Sequence, residues 1–137
     1  MSVVLDRSTA AAWIYSEEST AAVRDIFEHV ITRGAWVPAL WRLEMANILE
    51  MGVRRRRTSA AFRDATLADL ATLPIQVDAE TDRHAWGTTL RLAVKHRLTI
   101  YDAAYLELAQ RRGIPLATLD AELRTAASAE KVPLLGI

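Results

Sequence analysis

Three aspartates stand where an apolar segment meets a predicted helix or where such a helix begins. Asp6 follows the apolar run Val3-Val4-Leu5, Asp120 follows the apolar segment 115–119, and Asp102 lies at a helix start. In open parallel sheets, ligands bind at the carboxyl ends of the strands, so polar residues that close strands are candidates for a functional site. Aspartate also caps helices, because it accepts backbone N–H bonds well at that position. The spacing leaves both roles open for each aspartate.

Glu44 is a carboxylate on the apolar face of a predicted helix. Leu40 lies four residues before it, and Ile48 and Met51 lie four and seven residues after it, which places all four on one side of the helix. Burying a carboxylate there costs on the order of several kcal/mol unless it is protonated, paired with a cation or bound to a metal. A position at the rim of the core, or an internal pair with an arginine, is the alternative explanation.

Together, the four acidic residues predict a cation site if they converge at one edge of a sheet. Like charges a few ångströms apart repel, so the cluster must be protonated or must bind a divalent cation. Lys95 and Lys131 are the only lysines, and the chain has no cysteine. Oxygen ligands without His or Cys select Mg²⁺ or Mn²⁺. Such an ion can activate water and neutralise a phosphoryl oxygen, which is the chemistry of metal-dependent nucleases.

The elements that must position these residues alternate along the chain. The sequence predicts strands at 3–5, 35–37, 75–77, 115–119 and 133–135. It predicts helices over 10–15, 23–31 with Gly34 as terminator, 40–55, 59–73, a segment with Trp86, Leu90, Ala93 and Val94 on its buried face, 102–112 before Gly113, and a short helix ending near 129. This alternation predicts an α/β fold, a three-layer α/β/α sandwich with a central, mostly parallel sheet.

The composition sets further limits. The 137 residues carry 17 basic and 17 acidic side chains, and 51% of them are hydrophobic. This length suits a single domain over 1–137. The absence of cysteine removes disulfide frameworks and thiol catalysis. No run approaches the roughly 18 apolar residues of a membrane span, and the start of the chain lacks signal-peptide features, so we expect a cytoplasmic protein with no membrane contact. The balanced charge requires any nucleic-acid contact to be local.

Several segments resemble the PIN-domain family, with the VapC toxins of bacterial toxin–antitoxin pairs as the closest branch. They are residues 3–8 (Val-Val-Leu-Asp-Arg-Ser), residues 43–47 (Leu-Glu-Met-Ala-Asn), and the block from 99 to 106 followed by 116–120. The resemblance covers essentially the whole chain in order. Its most specific part is Tyr-Asp-Ala-Ala-Tyr at 101–105 with Ala-Thr-Leu-Asp at 117–120.

The resemblance implies an α/β/α sandwich that carries an Mg²⁺- or Mn²⁺-dependent endoribonuclease site. It also implies a cognate VapB-like antitoxin that wraps the toxin and blocks the site, an RNA substrate, and a homodimer within a larger toxin–antitoxin assembly. Metal-activated water would attack the RNA phosphodiester in line and leave a 5′-phosphate and a 3′-hydroxyl.

The resemblance also assigns residues to the site. The acidic quartet would be Asp6, Glu44, Asp102 and Asp120. We expect Asp6 and Asp102 to ligate the metal directly, and Glu44 and Asp120 either to bind the ion or to position the water. Supporting positions match Ser8 and Thr118, whose hydroxyls would hydrogen-bond the carboxylates or ordered waters, and less closely Asn47.

Arg7 departs from the family pattern, which usually has a small or hydroxylated residue at this position. An inward guanidinium would compete with the metal for the acids, and we expect the side chain to point outward. The run Arg54-Arg55-Arg56-Arg57 could contact RNA phosphates or an acidic segment of the antitoxin. It could also simply be a solvated helix C-terminus, where cations complement the macrodipole. Arg111 and Arg112 are expected to serve as such a terminus.

Three other classes of protein share parts of this pattern. A haloacid-dehalogenase-type phosphatase also carries an aspartate after its first strand, but it requires a second one two residues later, where Ser8 stands. A receiver-type signalling domain pairs acids after its first strand and needs a lysine after a later strand, and neither lysine fits. A non-catalytic PIN-like module that binds RNA or protein is the third, and the four filled acidic positions favour an enzyme over it.

Overall fold

The apolar run Val3–Leu5 forms β1, which lies between two neighbours in a four-stranded parallel sheet. The computed structural model describes residues 1–135. The other strands are β2 (Ala35–Val37), β3 (Ile75–Val77) and β4 (Leu116–Ala117), and the strand order is β3-β2-β1-β4. In register, Val4 pairs with Trp36 of β2 and with Leu116 of β4. All three residues of β1 are fully buried, as expected for a central strand covered on both faces.

Helices connect the strands, because parallel neighbours require crossover connections. They are α1 (Arg7–Ile14), α2 (Ala21–Arg33), α3 (Trp41–Arg54), α4 (Ala60–Ala71), α5 (Thr81–Ala85), α6 (Thr88–His96), α7 (Ile100–Arg112) and α8 (Ala121–Ala129), with a 3₁₀ turn at Ser16–Glu18. None of the helices in the described part of the chain is long and apolar enough to cross a membrane. The predicted α/β/α architecture with a parallel sheet is confirmed.

Local signals in the sequence set the ends of several helices. The hydroxyls of Thr20, Ser59 and Thr99 accept hydrogen bonds from backbone N–H groups and cap α2, α4 and α7. Gly34 and Gly113 follow α2 and α7 with φ of 83° and 64°. Positive φ is strained for other residues, so glycine suits these two stops.

The prediction for the buried face of α6 is wrong at Trp86, Leu90 and Val94, which are 93%, 43% and 72% exposed. Ala93 is buried as predicted, and Leu92 is buried although it was not predicted to be. Both stripes of this helix carry apolar residues, and periodicity alone could not choose between them. The packing of α6 on α7 selects the stripe that contains Leu92.

The last two predicted strands are shorter in the structure. The segment 115–119 contributes only Leu116 and Ala117 to β4. The segment 133–135 forms no extended strand among the described residues, and is reduced to one parallel bridge between Leu134 and Leu116. The sheet therefore ends at β4, with Thr118 at its carboxyl edge.

Candidate active site

Three carboxylates from three separate elements surround one guanidinium nitrogen. Asp6 follows β1, Glu44 lies in the first turn of α3, and Asp102 lies in the first turn of α7. The Nη1 atom of Arg7 lies 2.7 Å from Asp102 Oδ1, 3.3 Å from Glu44 Oε2 and 3.7 Å from Asp6 Oδ1. Three of the four predicted acidic residues therefore meet at one point.

The inward orientation of Arg7 contradicts the expectation that this side chain points outward. Arg7 is the first residue of α1, beside the carboxyl end of the central strand, where the three carboxylates converge. Burial alone would lower the pKa of Arg7, but the hydrogen bond to Asp102 and the charges of Asp6 and Glu44 outweigh it and raise that pKa. The guanidinium stays charged, and it partly neutralises three acids that would otherwise repel one another.

Asp6 is the most buried of these acids, with an exposed fraction of 1%. Its Oδ2 accepts hydrogen bonds from the Ser8 hydroxyl at 2.8 Å and from the Thr118 hydroxyl. Its Oδ1 has no hydrogen-bond partner in the described part of the chain. Burial raises the pKa of Asp6, against the effect of the two hydroxyl donors. The side chain makes no cap hydrogen bond to α1, so the capping role does not apply to Asp6.

Glu44 is held by a residue that the sequence analysis did not assign to the site. The hydroxyl of the buried Tyr105 donates a hydrogen bond to Glu44 Oε1. Burial raises the pKa of Glu44, whereas this hydrogen bond and the charge of Arg7 act in the opposite direction. The available signal was spacing, because Tyr105 follows Asp102 by three residues and therefore shares its side of α7.

Asp120 is placed differently from the other three acids. Its Oδ1 accepts the backbone N–H of Leu123 at 3.0 Å and caps α8, so the capping role applies here. Its own backbone N–H donates to the Thr118 hydroxyl, which in turn donates to Asp6. Within residues 1–135, Asp120 makes no ion pair with Arg7, and it is connected to the cluster only through Thr118.

The donor set of the cluster suits a hard divalent cation. All of its ligand atoms are carboxylate oxygens, and the buried Oδ1 of Asp6 lacks a hydrogen-bond donor. With Arg7 inward, however, no three acidic side chains among residues 1–135 are arranged to ligate one ion. The guanidinium nitrogen of Arg7 lies within 4 Å of an oxygen of each of the three carboxylates. The residues fit the metal chemically, and Arg7 occupies the point on which they converge.

The arginines of the run 54–57 differ in whether they pair with acidic side chains. Arg54 pairs with Glu50 at 2.8 Å, and Arg57 pairs with Glu17 and lies over the Tyr15 ring. Arg55 and Arg56 make no ion pair within the described residues. Arg55 lines a cleft of about 350 Å³ together with Asn47, which is exposed and lies one helical turn beyond Glu44.

Arg111 does not serve as the solvated helix terminus that we expected. Its Nη2 and Nη1 donate to the carboxylate of Asp78, at 2.6 Å to Oδ2 and 3.2 Å to Oδ1. Its Nε donates to Glu107 Oε2 at 2.8 Å. Asp78 is 1% exposed and directly follows β3, just as Asp6 follows β1. The sequence analysis missed Asp78, although the same pattern of an aspartate after an apolar strand marks it. Its arginine partner identifies it as half of a structural ion pair.

The chain is similar to known proteins in sequence and in fold. A family model of the PIN domain matches residues 3–129. Ribonuclease VapC3 of Pyrobaculum aerophilum is 31% identical over 142 aligned positions that cover 98% of both chains. The crystal structure of PAE2754 from the same organism has a TM-score of 0.68 and 26% identity, and the match covers 92% of this chain and 86% of that one. The matched region contains every acidic residue described above.

Proposed function

The chain belongs to the PIN-domain family, and on this basis we propose that it is a VapC-like toxin, an endoribonuclease that hydrolyses RNA phosphodiesters with Mg²⁺ or Mn²⁺. The observation that carries the proposal is the convergence of Asp6, Glu44 and Asp102 from three separate elements. A relative of nearly equal length that is named a ribonuclease supports the same activity.

The cluster provides the groups that such a reaction requires. Asp6 through Oδ1, together with Asp102 and Glu44, would hold the cation, and Asp120 would orient water from the neighbouring edge. When bound, the ion supplies an activated water and neutralises charge on the phosphoryl group. Ser8 and Thr118 fix Oδ2 of Asp6, which leaves its Oδ1 facing the cluster.

The side chains beside the cluster favour this activity over the alternatives. A haloacid-dehalogenase-type phosphatase needs a second aspartate where Ser8 stands, and here the Ser8 hydroxyl instead donates to Asp6. Tyr105 holds one oxygen of Glu44, so the other oxygen, Oε2, is the one that faces Arg7. This orientation suits a carboxylate that contacts a cation or accepts a proton from water.

The same proposal extends to substrate and partners. Arg55 and Arg56 are the side chains of the arginine run best placed to contact RNA phosphates, because neither forms an ion pair with an acid within residues 1–135. We propose a VapB-like antitoxin as the partner that blocks the cluster, a homodimer as the basic assembly, and action in the cytoplasm. Asn47, which lines the same cleft as Arg55, is proposed to contact the substrate.

The test is cleavage of RNA by the purified protein with Mg²⁺ or Mn²⁺, in the presence and absence of EDTA. Asp6→Asn and Asp102→Asn should abolish cleavage, whereas Asp25→Asn, an exposed aspartate on α2, should leave it unchanged. Cleavage that survives chelation and both substitutions would contradict the proposal. RNA binding without cleavage under every condition would favour a non-catalytic binding module.

A further inference from the structure

We propose that Arg7 is a built-in occupant of the cation position, and that a divalent ion binds only when this guanidinium moves out. The residue would thereby set the metal affinity of the site. The inference rests on the proposed function, because it concerns the ion which that function requires. It goes further by assigning a role to a residue of this chain that departs from the family pattern.

The first supporting observation is the position of the charge. A single nitrogen, Nη1 of Arg7, lies within 4 Å of carboxylate oxygens from Asp6, Glu44 and Asp102. One formal positive charge faces three formal negative charges, so the guanidinium balances the cluster only in part. A divalent ion at the same point would balance it better.

The second observation is the unsatisfied oxygen of Asp6. Its Oδ1 is buried and has no hydrogen-bond partner among the described residues, and the 3.7 Å to Arg7 is too long for a hydrogen bond. Buried carboxylate oxygens are normally hydrogen-bonded or bound to a metal. The guanidinium therefore leaves open a ligand position that a smaller cation could fill.

The third observation is that Arg7 is partly exposed and makes a single side-chain hydrogen bond to the cluster. Its side chain is 30% exposed, and its one side-chain hydrogen bond within residues 1–135 runs from Nη1 to Asp102. Arginines that are fixed in place, such as Arg111, engage carboxylates with two nitrogens. Release of Arg7 thus breaks one hydrogen bond, to Asp102, together with the longer ion pairs to Glu44 and Asp6.

The experiment is titration of the metal-free protein with Mn²⁺, followed by electron paramagnetic resonance or calorimetry. Arg7→Ser removes the guanidinium, and Arg7→Gln keeps a hydrogen-bonding side chain without the charge. Arg24→Ser removes the same charge from an exposed site on α2 and controls for net charge. We expect both Arg7 variants to bind Mn²⁺ about tenfold more tightly than the unmodified protein, and Arg24→Ser to match it.

Thermal unfolding gives a second measurement that does not depend on RNA cleavage. Without metal, the Arg7 variants should melt below the unmodified protein, because three carboxylates then lack their counter-cation. Added Mn²⁺ should raise the melting temperature of the variants by more than it raises that of the unmodified protein. Equal Mn²⁺ affinity of all the proteins would contradict the role proposed for Arg7 but not the metal dependence of the site. Failure of every protein to bind Mn²⁺ would overturn the metal dependence as well.

Discussion

The hydroxyl of Tyr105 donates a hydrogen bond to the carboxylate of Glu44 and so connects α7 to α3 beside the acidic cluster. Tyr105 is fully buried, and it lies one turn after Asp102 on the same helix. One helix therefore supplies both an acid of the cluster and the donor that orients another acid. The position of Glu44 depends on this contact as well as on Arg7.

Tyr105→Phe should lower the rate of RNA cleavage by about 10- to 100-fold, the usual effect of losing a residue that orients a ligand. The ring stays buried, so the loss of stability should be only about 1 kcal/mol. Cleavage assays and urea unfolding measure the two effects. Tyr101→Phe is the matched control, because Tyr101 is exposed and its hydroxyl has no partner within the described residues. Equal effects of the two substitutions would contradict the orienting role.

Arg55→Ala should weaken RNA binding and reduce the slope of log affinity against log salt by about 0.7, the value for one contact to a single-stranded phosphate. Arg54→Ala should have a smaller effect, because Glu50 already pairs with Arg54. Fluorescence anisotropy in an Asp102→Asn background measures binding without cleavage. Equal losses for the two arginines would show that pairing within the protein does not decide which of them contacts RNA.

Arg111→Ala should destabilise the protein by about 3–5 kcal/mol, because it leaves the buried Glu107 without its cation and leaves the buried Asp78 with only the longer contact to Arg112, at 3.7 Å. Urea unfolding gives the free energy. Arg54→Ala removes an arginine from an exposed pair and should cause no measurable change. A loss for Arg111→Ala as small as that of the control would mean that the pair contributes little to folding.

Glu130 should make stability depend on pH in the acidic range. Hydrogen bonds from Lys95 and His96 lower the pKa of Glu130 from 4.5 to about 2. Because the folded state favours the ionised carboxylate, its contribution is complete above pH 4.5 and disappears as the pH falls to about 2. The difference in unfolding free energy between the unmodified protein and Glu130→Gln should shrink over this range. A difference that stays constant as the pH falls from 4.5 to about 2 would contradict this contribution of Glu130.

The sequence predicted that four acids meet, and three of them do, whereas Asp120 caps α8. Asp6 closes an apolar strand, and Asp102 and Glu44 lie at helix starts, so a parallel sheet brings them to one edge. The hydroxyl contacts of Ser8 and Thr118 to Asp6 followed from the family motif and are present. These features depend on the order of the strands and on spacings of a few residues. Both can be inferred from the pattern of apolar and polar residues in the sequence.

The direction of the Arg7 side chain could not be predicted in the same way. Its attraction inward comes from Glu44 and Asp102, which are 37 and 95 residues away in the chain. The residues next to Arg7 in the sequence give no information about the charges of these distant carboxylates. Similarly, α6 has apolar residues on two sides. The side with Leu92 is buried where α6 packs on α7, and the side with Val94 is exposed.

The order of the strands also governs when the cluster can form during translation. β1 is made first but lies between β2 and β4, and Thr118, which holds Asp6, follows it by 112 residues. A chain still emerging from the ribosome carries Asp6 and Glu44 well before Asp102, Tyr105 and Thr118. Such a fragment has two acids of the cluster with Arg7 and Ser8, but it lacks Asp102 and the hydroxyls of Tyr105 and Thr118. The topology thus postpones assembly of the whole cluster until nearly all of the described chain has been synthesised.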